Sequence, residues 1–448
     1  MTTTAVSTTA ARIGAQPHVV VIGAGIAGLT AALRLRRAGA RVTQVTKGLG
    51  GIQLSQGTID ILGYTPDRVS RPLDAIDDYA AAHPAHPYAK IGSDAVRQGV
   101  AFLRDVAGEE FLVGDGEENV NLPTAVGAVR PTALIPPSMT AGVLHDGLKV
   151  VIIGIAQLKD FHPMLVAQNL ERTVLPDGGR VQARAVMTDF EPRPNEFDAS
   201  GLTFARALDD PKTRRTFAEG LKGFVNEGEA VGLPAVLGLD DHQAAIAEIS
   251  SIIGAPVFEI SSLPPCVPGM RLNEKLVTTV KTERVEFILG SKVIGRTAAD
   301  GKITSVTVGV AGHKREIACD AVILAAGGFE SGALRLDSHG TVHDTVLDLP
   351  VKLPEGIDAD TLTHEDYWGK PQPLFEVGVD VDSSMKVIKD GVPVFDNVYA
   401  AGGVLAGATR WQDKTGEGIA LGSAVKAADA VLAGLPVAAP AAQTAERN

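Results

Sequence analysis

The sequence predicts an α/β protein built on parallel βαβ units. Three observations carry that expectation. An apolar, β-branched run at residues 18–22 leads straight into a glycine-rich turn, Gly23-Ala24-Gly25-Ile26-Ala27-Gly28. A helical stretch follows with Leu29, Ala32, Leu33 and Leu35 along it, and Gly39 stands where a C-terminal helix cap belongs. Two later segments, VILAAGGF (residues 322–329) and NVYAAGGV (residues 397–404), repeat the design of a buried strand ending in a glycine pair.

The first unit has the form of a nucleotide site. Gly23 makes the tight turn, Gly25 lets the backbone approach a pyrophosphate, and Gly28 lets helix and strand pack closely. Phosphates would sit on the unpaired N–H groups of the helix N-terminus. Residues 41–46 (RVTQVT) read as the second strand. At its end, where such sites usually carry an acid for the ribose hydroxyls, stand Thr46 and Lys47. A threonine hydroxyl makes one such bond but cannot accept two as a carboxylate does. The adenosine half of a dinucleotide would be held less firmly, which leaves FMN open beside FAD.

Bulk properties narrow the class. The chain has 448 residues, room for two or three packed regions. Its formal net charge of −12 argues against nucleic-acid binding. An anionic substrate would need a local arginine or lysine cluster against that background. The two cysteines, Cys266 and Cys319, form no C-x-x-C or ferredoxin-like run, so no iron–sulfur cluster is expected in this chain and the thiols read as free in a reducing cytosol. No apolar run approaches the roughly 20 residues of a bilayer span. Residues 1–16 and 437–448 read as disordered tails, the first without the apolar core of a signal peptide.

Further elements follow in order. Residues 48–60, rich in glycine and small polar groups, read as a loop whose Gly51, Ser55 and Gly57 would suit a flat ring; an ordinary surface loop is the alternative. Residues 72–137 predict helices and loops. LKVVIIGI (148–155) reads as a strand and residues 163–172 as a helix after it, a βα unit without the glycine fingerprint. Residues 233–239 add a strand to that middle region. Residues 263–272 form a stiff Pro/Gly loop ending at a helix start, which fixes Arg271 as a candidate anion ligand. Residues 286–320 alternate as β-strands with a turn at 299–301. Gly416-Glu417-Gly418 opens a last helix, a further N-terminus for a phosphate or carbonyl.

Taken together, VVIGAGIAGL, VILAAGGF, NVYAAGGV and the glycine-led helix resemble flavoproteins of the fumarate reductase/succinate dehydrogenase class. LSQGTIDILG, AHPYAKIG, KVVIIGIAQLKDF, LPPCVPGMRL and AAGGVLAG sharpen the match to the family formed by the B component of anaerobic glycerol-3-phosphate dehydrogenase, over roughly residues 19–430. The resemblance implies a discontinuous Rossmann-like FAD/NAD(P)-binding flavoprotein domain with an inserted α/β cap. The flavin domain would take residues 17–75, 272–335 and 385–436. The cap would take 76–271, with a small insert at 336–384.

The family implies oxidation of sn-glycerol 3-phosphate to dihydroxyacetone phosphate, with electrons passed to quinone. In that family's complex the A component carries FAD, the B component is usually assigned FMN, and the C component carries iron–sulfur clusters; the resemblance and Thr46 together favour FMN as the flavin of this chain, with FAD possible. The expected location is the cytoplasmic face of the membrane, reached only through a partner. Expected flavin contacts are Gly23, Gly25, Gly28, Thr46, Lys47, Gly51, Ser55, Gly57, Ala326, Gly327, Gly402, Gly403 and Gly418.

Alcohol oxidation needs a hydride acceptor, a base and, for this substrate, a phosphate clamp. The flavin is the acceptor. Arg271 and Arg410 are clamp candidates, since a guanidinium grips phosphate through two parallel hydrogen bonds. Arg410 follows Gly407-Ala408-Thr409, a setting that resembles the substrate arginine of the fumarate reductase class. His364 is the candidate base, ahead of His162 and His343, because its ordinary pKa suits proton transfer near neutrality; an exposed loop histidine is the alternative. Two other functions stay open: a flavin-binding relay or scaffold, and a stand-alone fumarate reductase-class oxidoreductase.

Overall fold

The computed structural model describes residues 16–366 and 369–435. The predicted tails, Gln16 apart, and Tyr367 and Trp368 of the His364 loop lie outside the described residues.

The opening run is the central strand of a five-stranded sheet. Its order is Val398–Ala400, Ala321–Leu324, His18–Ile22, Arg41–Thr46 and Glu286–Leu289. All neighbours are parallel. Val19, Val20 and Val21 are wholly buried, as a strand covered on both faces requires. Burying each such side chain is worth about 1.5–3 kcal/mol. One cover is the helix Ile26–Arg37, packed on the last helix, Gly416–Gly434, which in turn packs on Ser93–Ala107.

The middle of the chain builds a second parallel sheet with its own core. Its order is Gln182–Thr188, Lys149–Ile155, Ala230–Pro234 and Val257–Ile260. Val151, Ile152, Ile153, Phe204 and Phe258 lie at its heart. The expected strand at 233–239 begins earlier, at Ala230. Beyond Pro234 the chain turns, and the Leu237 N–H donates to the Glu259 carboxylate at 2.8 Å instead of to a ladder partner.

Other expectations shift in detail. Residues 72–137 carry the expected helices, but also an antiparallel pair, Val120–Pro123 with Val129–Thr132. The run at 286–320 divides between sheets. Glu286–Leu289 edges the first sheet, while Lys292–Ala299, Lys302–Val310 and His313–Ala318 form an antiparallel meander. The helix expected near residue 272 starts at Val267, so Arg271 lies a turn inside it.

Candidate functional site

Ile22, Thr46, Leu324 and Ala400 end four neighbouring parallel strands at the same edge of the sheet. Beyond that edge opens a cavity of 1120 Å³. Such crevices, outside the carboxyl ends of strands, are where open α/β sheets bind ligands.

The glycine turn shapes one wall. Gly23 has φ +113°, and a Cβ there would collide with the Ala325 carbonyl, just past the end of the neighbouring strand Ala321–Leu324. The Gly23 N–H donates to the Val45 carbonyl at 2.9 Å, and Gln44 Nε2 donates to the Gly23 carbonyl at 2.8 Å. Gly28 packs onto the Gly23 carbonyl and stays out of the cavity. Gly25, by contrast, has open space where a Cβ would sit, with nothing within 4 Å beyond its own stretch of chain, and the same holds for Gly48 and Gly51. All three line the cavity. The backbone is bare here, at the N-terminus of a helix with no capping side chain and no acid in its first turn. That donor set fits a bound pyrophosphate.

Of the remaining expected contacts, Thr46, Lys47, Ser55, Ala326, Gly327, Gly402 and Gly403 also line the cavity. The Thr46 hydroxyl donates to the Gly48 carbonyl and the Ser55 hydroxyl to the Ile52 carbonyl, so both shape the loop with their protons. Gly57 and Gly418 stand behind the wall. A Cβ on Gly57 would press on Pro268, and one on Gly418 would collide with the Tyr88 hydroxyl.

Only one of the three expected catalytic residues borders the cavity. Arg410 does, with its Nη1 donating to Glu330 Oε1 at 3.1 Å. Burial works against the Glu330 carboxylate, but the adjacent guanidinium holds its pKa below the usual range. Arg271 is not in the lining. It is 5% exposed and committed to Glu259, at 2.6 and 2.9 Å, and to the Gly238 carbonyl. His364 lies exposed on a loop, tied to Gln372 and outside the cavity. His162 is exposed before a helix, and His343 pairs with Asp337 at 2.8 Å.

The fold also assembles a charged cluster on the cavity wall that the sequence did not announce. Asp60, Lys414 and Glu417 line it. Behind them, Arg130 donates to both Asp60 carboxylate oxygens at 2.6 and 2.5 Å, to Thr58 Oγ1 at 2.8 Å, and to Gln56. The Asp60 N–H reaches Glu417 Oε2 at 3.3 Å, and the Gly418 N–H donates to the Asp60 carbonyl at 3.0 Å. Arg130 is thus spent on Asp60, and Glu417 has no ion-pair partner among the described residues. Burial, reinforced by the Asp60 charge, pushes the Glu417 carboxyl up to about 7. Burial and the nearby Arg130 charge lower the Lys414 ammonium. The G-E-G start of the last helix was the available signal for Glu417. Arg130 had none, because its short strand lies in a stretch whose pattern predicts helix and loop.

The model of a family described as "FAD binding domain" matches residues 18–419. The B component of anaerobic glycerol-3-phosphate dehydrogenase from Pectobacterium atrosepticum is 32% identical over 427 residues, covering 92% of this chain and 98% of that protein. The protein of the same name from Yersinia pestis is 30% identical over 430 residues, covering 94% and 99%. Among solved structures, 3-ketosteroid Δ1-dehydrogenase from Sterolibacterium denitrificans aligns over 93% of this chain and 99% of its own, at 12% identity and a TM-score of 0.44. The match to an FAD family supports flavin binding but gives no support to the preference for FMN drawn from the resemblance and from Thr46. Ser291, whose N–H donates to the Thr46 carbonyl at 3.1 Å, and Lys292 and Ile294 also border the cavity, so the wall at the missing acid continues beyond Thr46.

Proposed function

The chain belongs to the FAD binding domain family and, within it, to the family of the B component of anaerobic glycerol-3-phosphate dehydrogenase, and from that premise we propose that it oxidises sn-glycerol 3-phosphate to dihydroxyacetone phosphate. The observation that carries this reading is one cavity joining two features: a bare glycine backbone at a helix N-terminus, and the Arg410 guanidinium. When bound, the flavin supplies the two-electron acceptor. The turn around Gly25 would hold its phosphates, with Lys47 beside them, and the extension past Thr46 favours FAD. Arg410 would grip the substrate phosphate, exchanging Glu330 for it.

With only two cysteines, separated by 52 intervening residues, the chain lacks the ligands of an iron–sulfur cluster. Electrons would therefore pass to quinone through an iron–sulfur partner, the C component, alongside the FAD-carrying A component. Among the described residues no helix is long and apolar enough to cross a membrane. Any membrane association would come through such a partner. In this reading the first sheet and the Gly416–Gly434 helix form the flavin domain, and the second sheet forms the cap.

The test is an anaerobic absorbance spectrum of the purified chain before and after adding sn-glycerol 3-phosphate. Bleaching of the flavin band supports substrate oxidation by this chain. An unchanged band moves the chemistry to a partner and leaves this chain a flavin-binding relay or scaffold.

A further inference from the structure

Resting on that functional reading, we propose that Glu417 is the proton acceptor of the cavity, taking the hydroxyl proton of the bound alcohol onto its carboxylate, with Asp60 and Arg130 as positioning residues. Three features of the geometry support this. Glu417 opens the Gly416–Gly434 helix on the cavity wall, on the same chain segment as Arg410 and Lys414. Its carboxylate accepts from the Asp60 N–H, at the long distance of 3.3 Å. The neighbouring cation, Arg130, is already bound to Asp60, Thr58 and Gln56.

The charged and titratable groups facing Glu417 are few. Asp60 comes from the loop after Leu54, Arg130 from the strand Val129–Thr132, Lys414 from the preceding turn, and Tyr88 from the short helix Tyr88–Ile91. The Tyr88 hydroxyl donates to the Ile61 carbonyl and is pushed well up by burial, so it stays neutral. Asp60 repels a charge on Glu417 while Arg130 attracts one, and burial tips the balance toward the neutral acid. A carboxyl balanced near neutrality is suited to both taking and returning a proton.

The chemistry balances. The O–H bond of the alcohol breaks, and its proton goes to Glu417. The C–H bond breaks with its electron pair leaving as hydride, the flavin being the oxidant. The carbon and oxygen close to a ketone. Glu417 then returns its proton to solvent.

The test compares the flavin-loaded full-length chain with Glu417→Gln by infrared difference spectroscopy across neutral pH. It pairs this with the pH profile of flavin reduction by glycerol 3-phosphate. The parent is expected to show a protonated-carboxyl band that titrates near neutrality, and reduction that accelerates as the band disappears. Glu417→Gln should lose the band and the pH step, and should slow reduction by about 10²–10⁴-fold. A band or a pH step that survives the substitution overturns the proposal. Asp60→Asn provides a second arm should Glu417→Gln fail to fold. Removing the Asp60 charge should move both midpoints to lower pH, and unmoved midpoints overturn the assignment. If the parent does not reduce its flavin with this substrate, the functional reading fails, and the acceptor role falls with it whatever the band does.

Discussion

Arg271 and Glu259 form a sealed ion pair, at 2.6 and 2.9 Å, that joins the helix Val267–Thr282 to the strand Val257–Ile260. The helix packs Leu272, Leu276 and Val277 into one core, while the strand lies in the other. Removing one partner of such a pair leaves the other charge buried and uncompensated, at a cost of about 3–5 kcal/mol. Arg271→Met should therefore lower stability by that amount in denaturant titration. Adding Glu259→Gln should recover a substantial share. The folded fraction should keep its KM for substrate, and a raised KM would return Arg271 to the binding site.

The glycine turn separates two kinds of glycine. Gly23→Ala places a Cβ against the Ala325 carbonyl at a positive φ, and Gly28→Ala places one against the Gly23 carbonyl. Both should unfold or strongly destabilise the chain. Gly25 has an extended backbone, φ −74° and ψ 178°, with open space where its Cβ would lie. Gly25→Val should fold with a normal circular dichroism spectrum and lose flavin on gel filtration.

Glu330 competes for Arg410. With the guanidinium engaged at 3.1 Å, an incoming anion must displace a carboxylate. Glu330→Gln should tighten the binding of inorganic phosphate or substrate, read by calorimetry. Arg410→Gln should weaken it, raising Kd by about 10-fold or more if a charge-assisted bond worth about 1.5–3 kcal/mol is lost. Equal affinities in the three proteins would remove Arg410 from the site.

His86 gives the acid limb a sign. Burial, helped by the nearby His83, pushes its pKa down to about 3. Its Nδ1 accepts from the Tyr88 N–H at 3.1 Å, which a protonated ring could not do. The native state therefore holds this ring neutral, while the unfolded state takes up a proton below its ordinary value near 6.5. The stability it contributes is present above that value and is lost as pH falls toward 3. Between about pH 7 and pH 5 the loss is about 2 kcal/mol. His86→Leu should flatten that part of the stability–pH curve whatever its effect on absolute stability, and an unchanged slope would refute the assignment.

Legibility in the sequence followed the range of the interactions. The glycine turn, the flanking strands and the Gly416–Gly434 helix carry local signals, because each glycine answers a backbone demand within its own turn. The parallel strand at Lys149–Ile155 is equally plain, being a continuous apolar run. Arg271 was legible as a fixed arginine but not as Glu259's partner, since nothing in a local pattern says which of 53 carboxylates will meet it. Arg130 and Asp60 lie 70 residues apart and meet only through the fold. Clusters of this kind are tertiary facts. A charged residue in a short strand looks the same in sequence whether it faces solvent or a cavity.

The parallel register Val19↔Ala321 sets an order of events during synthesis. The glycine turn leaves the ribosome about 300 residues before the strand that completes it, a wait of about 15–60 s at about 5–20 residues per second. The second sheet runs without interruption from Lys149 to Ile260 and can close during that interval. A nascent chain would thus carry a finished second sheet beside an unfinished nucleotide fold, with the apolar run at His18–Ile22 awaiting cover. For a heterologous host, faster translation after Ile260, or a chaperone that shields the first forty residues, should raise the yield of folded chain more than any change to the second sheet.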